Sequence, residues 1–289
     1  MQSILTHLLA QAWAERPDKP TALGTPLRYS GALGCQRQMG YTAFKAIKSD
    51  PPGIGDAWAP GIGTTLHSVA QEAIHALYPT AQFEVRSKFG EFISGDADAL
   101  VDTESIRECT GESLGGTHTL WEFKTMGEWQ FDKQMGYNRK IAKIYNNGEG
   151  PKISAITQAG MNALGIESQN PSIRIETLLM GSVCTAAISV QKAAQMGVEG
   201  FGRFGQEFRI ARDEWEPLAL NELSRMNSIA TLVKKGTLPD RLACGDSGGE
   251  VYLNPRGGDW QCHYCPYTSL CVRDGEDEKP SYADVVIRD

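Results

Sequence analysis

Three cysteines lie close together near the end of the chain, in the pattern Cys262-x2-Cys265-x5-Cys271. Thiolates at such short spacing are ligands for zinc or for an iron–sulfur centre, and both centres usually take four protein ligands. The fourth ligand is either the nearby His263 or a distant cysteine, and Cys35 is the only cysteine beside the start of a predicted early helix. A tail with few apolar residues needs a metal or a partner to become ordered. The cysteines therefore predict a metal centre in the tail.

Composition limits the class of protein. With 289 residues, of which 41% are hydrophobic, the chain is able to bury a sizeable core. Neither a membrane-spanning run nor a signal peptide is recognisable, so we expect a cytoplasmic protein without membrane contact. The net charge of −7 argues against a protein that coats nucleic acid by bulk charge. It leaves open an enzyme that grips DNA in a local basic groove.

The pattern of apolar residues predicts an α/β fold. Helical spacing is clearest over residues 63–78, and a β-hairpin turning at Gly90 is predicted to follow it. This order of helices and strands predicts an α/β core with a mixed central sheet. The predicted elements are helices at 3–15, 29–48, 63–78, 152–165 and 205–235, strands at 82–88, 91–101, 118–125, 172–180 and 185–190, and loops at 17–28, 50–61 and 126–151.

Acidic residues and a lysine occupy the predicted strands. Glu122 and Lys124 share one face of their predicted strand. On an otherwise apolar strand, burying two charged side chains is destabilising unless they form an ion pair or serve a function. Asp98 lies on the preceding strand and His67 on the preceding helix. Carboxylates suit Mg²⁺ or Mn²⁺, and an imidazole suits Mn²⁺ better. A simple ion pair and a core histidine are the alternatives, and Asp96 and Asp102 share a strand face with Asp98.

Gly95-x-x-Asp98 followed by Glu122-x-Lys124 resembles the signature of PD-(D/E)XK nucleases, whose core is restriction-endonuclease-like. A histidine on the preceding helix resembles the RecB-like branch of that family. The resemblance implies that His67, Asp98, Glu122 and the backbone carbonyl of Phe123 bind Mg²⁺ or Mn²⁺. It also implies that Lys124 is catalytic.

The RecB-like branch also has a glutamine motif, Gln-x-x-x-Tyr, on the following helix, and two glutamines compete for it. Gln134 is followed by Tyr137, one residue too early, whereas Gln158 has Asn162 at the place of the tyrosine. Gln158 opens a predicted helix just before a strand, where the family has this motif. We therefore predict that Gln158 is the catalytic glutamine.

The tail Trp260-Gln261-Cys262-His263-Tyr264-Cys265-Pro266 is similar to that of RecB-like nucleases with four cysteines, including CRISPR-adaptation exonucleases and their phage relatives. This resemblance implies a 4Fe-4S cluster, with zinc as the alternative. It also implies a single nuclease domain over 1–289, with a core at about 62–190 and an iron–sulfur subregion formed by about 29–48 with 240–275. The cluster ligands would be Cys35, Cys262, Cys265 and Cys271.

The predicted function is that of a metal-dependent DNA exonuclease that acts on single strands or free ends in recombination, repair or phage DNA processing. Trimming of DNA before CRISPR spacer integration is one alternative, and a non-catalytic iron–sulfur DNA-binding protein is another. DNA is the expected partner, with recombination or CRISPR-adaptation proteins beside it, and the oligomeric state stays open. Basic and aromatic residues are suited to grip phosphates and stack bases, although they also suit a solvated helix face. The predicted DNA contacts are Arg37, Lys133, Tyr137, Arg139 and Lys140.

Overall fold

The structure, a computed structural model, describes most of the middle of the chain and short parts of both ends. The described residues are 27–46, 48–49, 54–138, 143–144, 148–185, 205–239, 265–267 and 270–271. The predicted helix at 3–15 and the predicted strand at 185–190 fall almost wholly outside them.

The chain divides into two compact units. The first consists of Met1–Pro60, Gly90–Ile93 and Ser224–Asp289, and the second of Gly61–Phe89 and Ser94–Leu223. The described strands are β1 (Leu27–Arg28), β2 (Gln82–Phe89), β3 (Ile93–Asp102), β4 (His118–Met126), β5 (Tyr137–Asn138), β6 (Lys143–Ile144), β7 (Ile175–Cys184) and β8 (Gly205–Ala211). The described α-helices are α1 (Gln36–Ala43), α2 (Ile54–Leu77), α3 (Thr103–Thr110), α4 (Glu128–Met135), α5 (Ile153–Gln169) and α6 (Arg212–Lys234).

A mixed sheet forms the centre of the second unit. β3 pairs with β2 and is antiparallel to β4, β4 is parallel to β7, and β7 is antiparallel to β8. The predicted α/β fold with a mixed central sheet is therefore confirmed. In the register of β4 and β7, Glu122 lies beside Met180 and Lys124 beside Ser182.

Alternate residues of β4 pack on opposite faces of this sheet, as strand geometry requires. On one face, Trp121 and Phe123 pack against a buried cluster that includes Ile74 and Tyr78 from α2 and the segment after it. On the other face, α5 covers the sheet, and its buried Asn162 accepts a hydrogen bond of 2.8 Å from Ser87 Oγ of β2. The sheet is thus a layer between α2 and α5, and Glu122 lies on the α5 side.

Two predicted elements differ from the structure, one at the start of α2 and one at β8. The loop predicted at 50–61 is wrong for residues 54–61, because α2 begins at Ile54 and includes Pro60. Apolar residues at 54, 58, 62 and 66 repeat every four positions, and this helical spacing outweighs the proline. The helix predicted at 205–235 is wrong for 205–211, where β8 lies; Phe208 and Ile210 alternate there with charged residues, which is the period of a strand.

Three further differences concern two unpredicted helices and the end of a third. The prediction missed α3, which begins where the Asp102 carboxylate accepts the N–H of Glu104 at 2.7 Å and ends at Gly111 in a left-handed conformation. The predicted loop at 126–151 contains α4. Gly165 does not end α5, which continues to Gln169. Within the described residues, none of the helices is long and apolar enough to span a membrane.

Candidate active site

Glu122 and Lys124 face α5 from neighbouring positions on the same side of β4. The ammonium of Lys124 donates to Glu122 Oε1 at 2.6 Å, and the Glu122 side chain is only 1% exposed. Gln158 of α5 joins the pair, because its Nε2 donates to the same Oε1 at 2.9 Å. Its Oε1 also accepts from Lys124 Nζ at 3.4 Å. The three side chains therefore form a closed ring of hydrogen bonds.

The structure separates the two candidate glutamines. Gln158 contacts both Glu122 and Lys124, whereas Gln134 of α4 is buried and donates to Ser182 Oγ at 2.8 Å. Ser182 lies beside Lys124 in the neighbouring strand, so Gln134 anchors α4 to the sheet. Gln158 is thus the candidate glutamine that contacts both the acid and the lysine.

The structure also separates the three aspartates of β3. Asp96 is paired with Arg86 at 3.1 Å, and Asp102 caps α3. Asp98 instead accepts the N–H of Phe123 at 2.6 Å with Oδ2, while its Oδ1 lies 3.4 Å from Nδ1 of His67. Because Ala99 pairs with Trp121 in the antiparallel ladder, the next position brings Asp98 alongside Glu122.

The charges at this site shift the titration of their neighbours. Burial raises the pKa of Glu122 to about 7, although the ammonium of Lys124 opposes the shift. Burial lowers the pKa of Lys124, but the negative charges of Glu122 and Asp98 outweigh it, so the pKa ends above its ordinary value. The hydrogen bond with Asp98 raises the pKa of His67. Lys124 is therefore protonated at neutral pH, and Glu122 is close to its titration midpoint.

The other oxygen of Glu122 is an acceptor without a donor. Oε2 is buried and has no hydrogen-bond partner among the described groups. A buried oxygen in this position is destabilising unless it binds a proton, a donor or a cation. With Asp98 and His67 nearby, the available ligands are two carboxylates and an imidazole, which fit Mn²⁺ or Mg²⁺. In the part of the chain that the structure describes, no three such side chains already converge as a metal-binding group.

Three cysteines of the predicted cluster, Cys35, Cys265 and Cys271, belong to the first unit. Cys35 is the N-cap residue of α1, directly before Gln36, and it is partly buried. Cys265 and Cys271 flank Tyr267, whose ring lies 5.3 Å from that of Tyr41 in α1. The tail segment therefore packs on the helix that begins at Cys35. Cys262 lies outside the described residues.

The structure places two of the predicted DNA contacts. Arg37 is only 7% exposed, and its Nη1 donates to the carbonyl of Pro239 at 3.0 Å. Arg37 is thus buried by packing within the first unit, and its contact with DNA stays a prediction. Lys133 is half exposed and lies 2.9 Å from Glu149 and 5.7 Å from the ring of Trp129. The structure does not describe Arg139, Lys140 or the side chain of Tyr137.

One residue near the site was missed by the sequence prediction. Gln71 lies one helical turn after His67 in α2, and its Nε2 donates to the backbone carbonyl of Asp98 at 3.2 Å. The interval of four residues after a candidate ligand was the signal that could have identified it.

Comparisons with known proteins add little. No protein-family model matches the sequence, and no curated protein is significantly similar to it. Among solved structures, the crystal structure of SSO0001 is similar with a TM-score of 0.47 and 15% sequence identity, over 93% of this chain and 96% of that chain. A TM-score this low carries no inference about this chain.

Proposed function

We propose that this chain is a metal-dependent DNA exonuclease with a RecB-like PD-(D/E)XK core. The observation that carries the proposal is the buried ring of Glu122, Lys124 and Gln158, next to Asp98. A closed contact between an acid, a lysine and a glutamine matches the roles that the resemblance implies. The unpartnered Oε2 of Glu122 supports the further step that a cation belongs beside it.

Four groups would hold the cation: the side chains of His67, Asp98 and Glu122 and the backbone carbonyl of Phe123. When bound, Mg²⁺ or Mn²⁺ supplies Lewis-acid chemistry, since it neutralises charge on the phosphate and lowers the pKa of water. Phe123 has a second role, because its N–H holds Oδ2 of Asp98 at 2.6 Å. The carboxylate of Asp98 is therefore already oriented by the backbone of the strand that carries Glu122.

Lys124 supplies positive charge close to the scissile phosphate. Its ammonium, protonated at neutral pH, is held by Glu122 at 2.6 Å and by Gln158 at 3.4 Å. Hydrolysis joins a water oxygen to phosphorus and breaks a bridging P–O bond, so negative charge grows on the phosphate oxygens. A fixed ammonium stabilises that growing charge without having to reorganise. Gln158 keeps Lys124 and Glu122 in this arrangement.

We further propose that Cys35, Cys262, Cys265 and Cys271 hold a 4Fe-4S cluster with a structural role. The packing of Tyr267 on Tyr41 supports this assignment, because it brings the tail onto the helix that begins at Cys35. Purified protein should be brown and absorb near about 400 nm, as expected for thiolate-bound iron–sulfur centres. A colourless anaerobic preparation that contains zinc would overturn this cofactor assignment.

The nuclease proposal is tested with end-labelled linear DNA in the presence of Mn²⁺ or Mg²⁺. Wild-type protein should release labelled nucleotides and leave a circular single strand intact, while Asp98→Asn should release almost none. Asp96→Asn is the matched control, because Asp96 lies on the same strand but is paired with Arg86. Equal release by wild type and Asp98→Asn would refute the proposal.

A further inference from the structure

Gln71 links three elements around the candidate cation site. Its Nε2 donates to the carbonyl of Asp98 on β3 at 3.2 Å and to Oε1 of Glu84 on β2 at 3.1 Å. Gln71 lies on the same face of α2 as His67, one turn away, so both residues meet Asp98. The helix is therefore tied to the sheet at the point where His67 and Asp98 approach each other.

Glu84 adopts a backbone conformation that is unusual for its residue type. Its φ is 48° although it lies within strand β2 and is not a glycine. A left-handed conformation at such a residue is strained, and it persists only where the surroundings enforce it. Its carboxylate meets Gln71, and the side chain is otherwise exposed to solvent. The strained backbone at Glu84 thus places a carboxylate oxygen where it accepts a hydrogen bond from Gln71.

We propose that Gln71, supported by Glu84, is a positioning residue that sets the separation of His67 and Asp98. This inference rests on the proposed function, since it assumes that the two side chains share a cation. Gln71 donates to the backbone carbonyl of Asp98 and to Glu84, not to the side chain of a candidate ligand. It fixes the main chain of one ligand relative to the helix that carries the other. Outer residues of this kind typically change metal affinity by about 10- to 100-fold when they are removed.

A purely architectural role makes a different prediction. If Gln71 and Glu84 only fastened α2 to the sheet, each substitution would lower thermal stability and metal affinity together. If Glu84 instead positions the ligands through Gln71, a substitution at Glu84 can lower metal affinity without lowering thermal stability. Glycine adopts a positive φ without strain, so Glu84→Gly removes the acceptor while relieving the backbone.

The test is a titration of the full-length protein with Mn²⁺, followed by the electron paramagnetic resonance signal of the free ion. Thermal unfolding of each variant without added Mn²⁺ is measured in parallel. Gln71→Leu removes the donor, Glu84→Gly removes the acceptor, and Glu84→Gln keeps an oxygen that accepts the same hydrogen bond. Glu72→Gln, at the exposed neighbouring position of α2, is the control.

We expect Gln71→Leu and Glu84→Gly to weaken Mn²⁺ binding by about tenfold or more, with wild-type affinity for Glu84→Gln and Glu72→Gln. The unfolding temperature of Glu84→Gly should equal or exceed that of wild type. Wild-type affinity in Gln71→Leu, or a joint loss of stability and affinity in Glu84→Gly, would overturn the inference. A wild-type protein that binds no Mn²⁺ would overturn the proposed function itself, and this inference with it.

Discussion

Replacing Glu122 by glutamine should stabilise the metal-free protein at alkaline pH. A folded-state pKa of about 7, against the ordinary 4.5, reflects burial of the carboxylate. Because the folded state binds this proton more tightly than the unfolded chain, stability falls as the pH rises from about 4.5 to about 7. At about 1.4 kcal/mol for each pKa difference of one, the loss is about 3 kcal/mol. Glutamine resembles the protonated acid, so Glu122→Gln should avoid this loss.

The assay is thermal unfolding of wild type and Glu122→Gln in metal-depleted buffer at pH 5 and at pH 8. The two proteins should unfold at similar temperatures at pH 5, and the variant should be more stable at pH 8. Glu149→Gln is the control, because Glu149 is 61% exposed and its ion pair contributes little. Equal unfolding temperatures at both pH values would refute the conclusion that burial raises the pKa of Glu122. With Mg²⁺ added at pH 8, the wild type should gain stability and the variant should not.

Three further predictions concern Lys124, Arg212 and Trp129. Lys124→Met should lower the rate of DNA cleavage by about 10²- to 10³-fold while Mn²⁺ still binds, because the ammonium acts on the developing charge; single-turnover kinetics measure this. Arg212→Ala should destabilise the protein by about 3 kcal/mol in chemical unfolding, because Arg212 is 11% exposed and binds Glu167 through two nitrogens; Arg174→Ala, an exposed control, should have little effect. Trp129→Ala, at a residue 75% exposed, should weaken single-stranded DNA binding by about 1–3 kcal/mol in fluorescence anisotropy, yet leave hydrolysis of a small phosphodiester unchanged.

Regular periodicity made much of the fold predictable. The strand with Glu122 and the hairpin around Gly90 were recognisable because strong local patterns and the final packing agree there. The strand β8 was not, because its short alternating stretch leads directly into the acidic first turn of α6. The first residues of α2 were predicted as a loop because a proline such as Pro60 usually indicates a loop.

The site was predictable in kind but not in every residue. Strand period alone leaves Asp96, Asp98 and Asp102 equivalent, because all three share one face. Contacts in the structure distinguish them: Asp96 pairs with Arg86 of β2, and Asp102 caps α3 through a local hydrogen bond from the N–H of Glu104. The interval of four residues after His67 could have suggested Gln71, but its partner, a backbone carbonyl 27 positions away in the chain, could not be read from the sequence. Sequence patterns report side-chain periodicity, but they carry no record of such main-chain contacts.

We propose above that a divalent cation binds beside Glu122, Asp98 and His67 and serves DNA cleavage there. The most direct measurement is an anomalous-scattering map of crystals soaked in Mn²⁺. We expect a single strong Mn²⁺ peak in contact with Glu122 Oε2, Asp98 and His67, and no such peak in Glu122→Gln. Mn²⁺ bound only elsewhere, in protein that still degrades DNA from its ends, would contradict it.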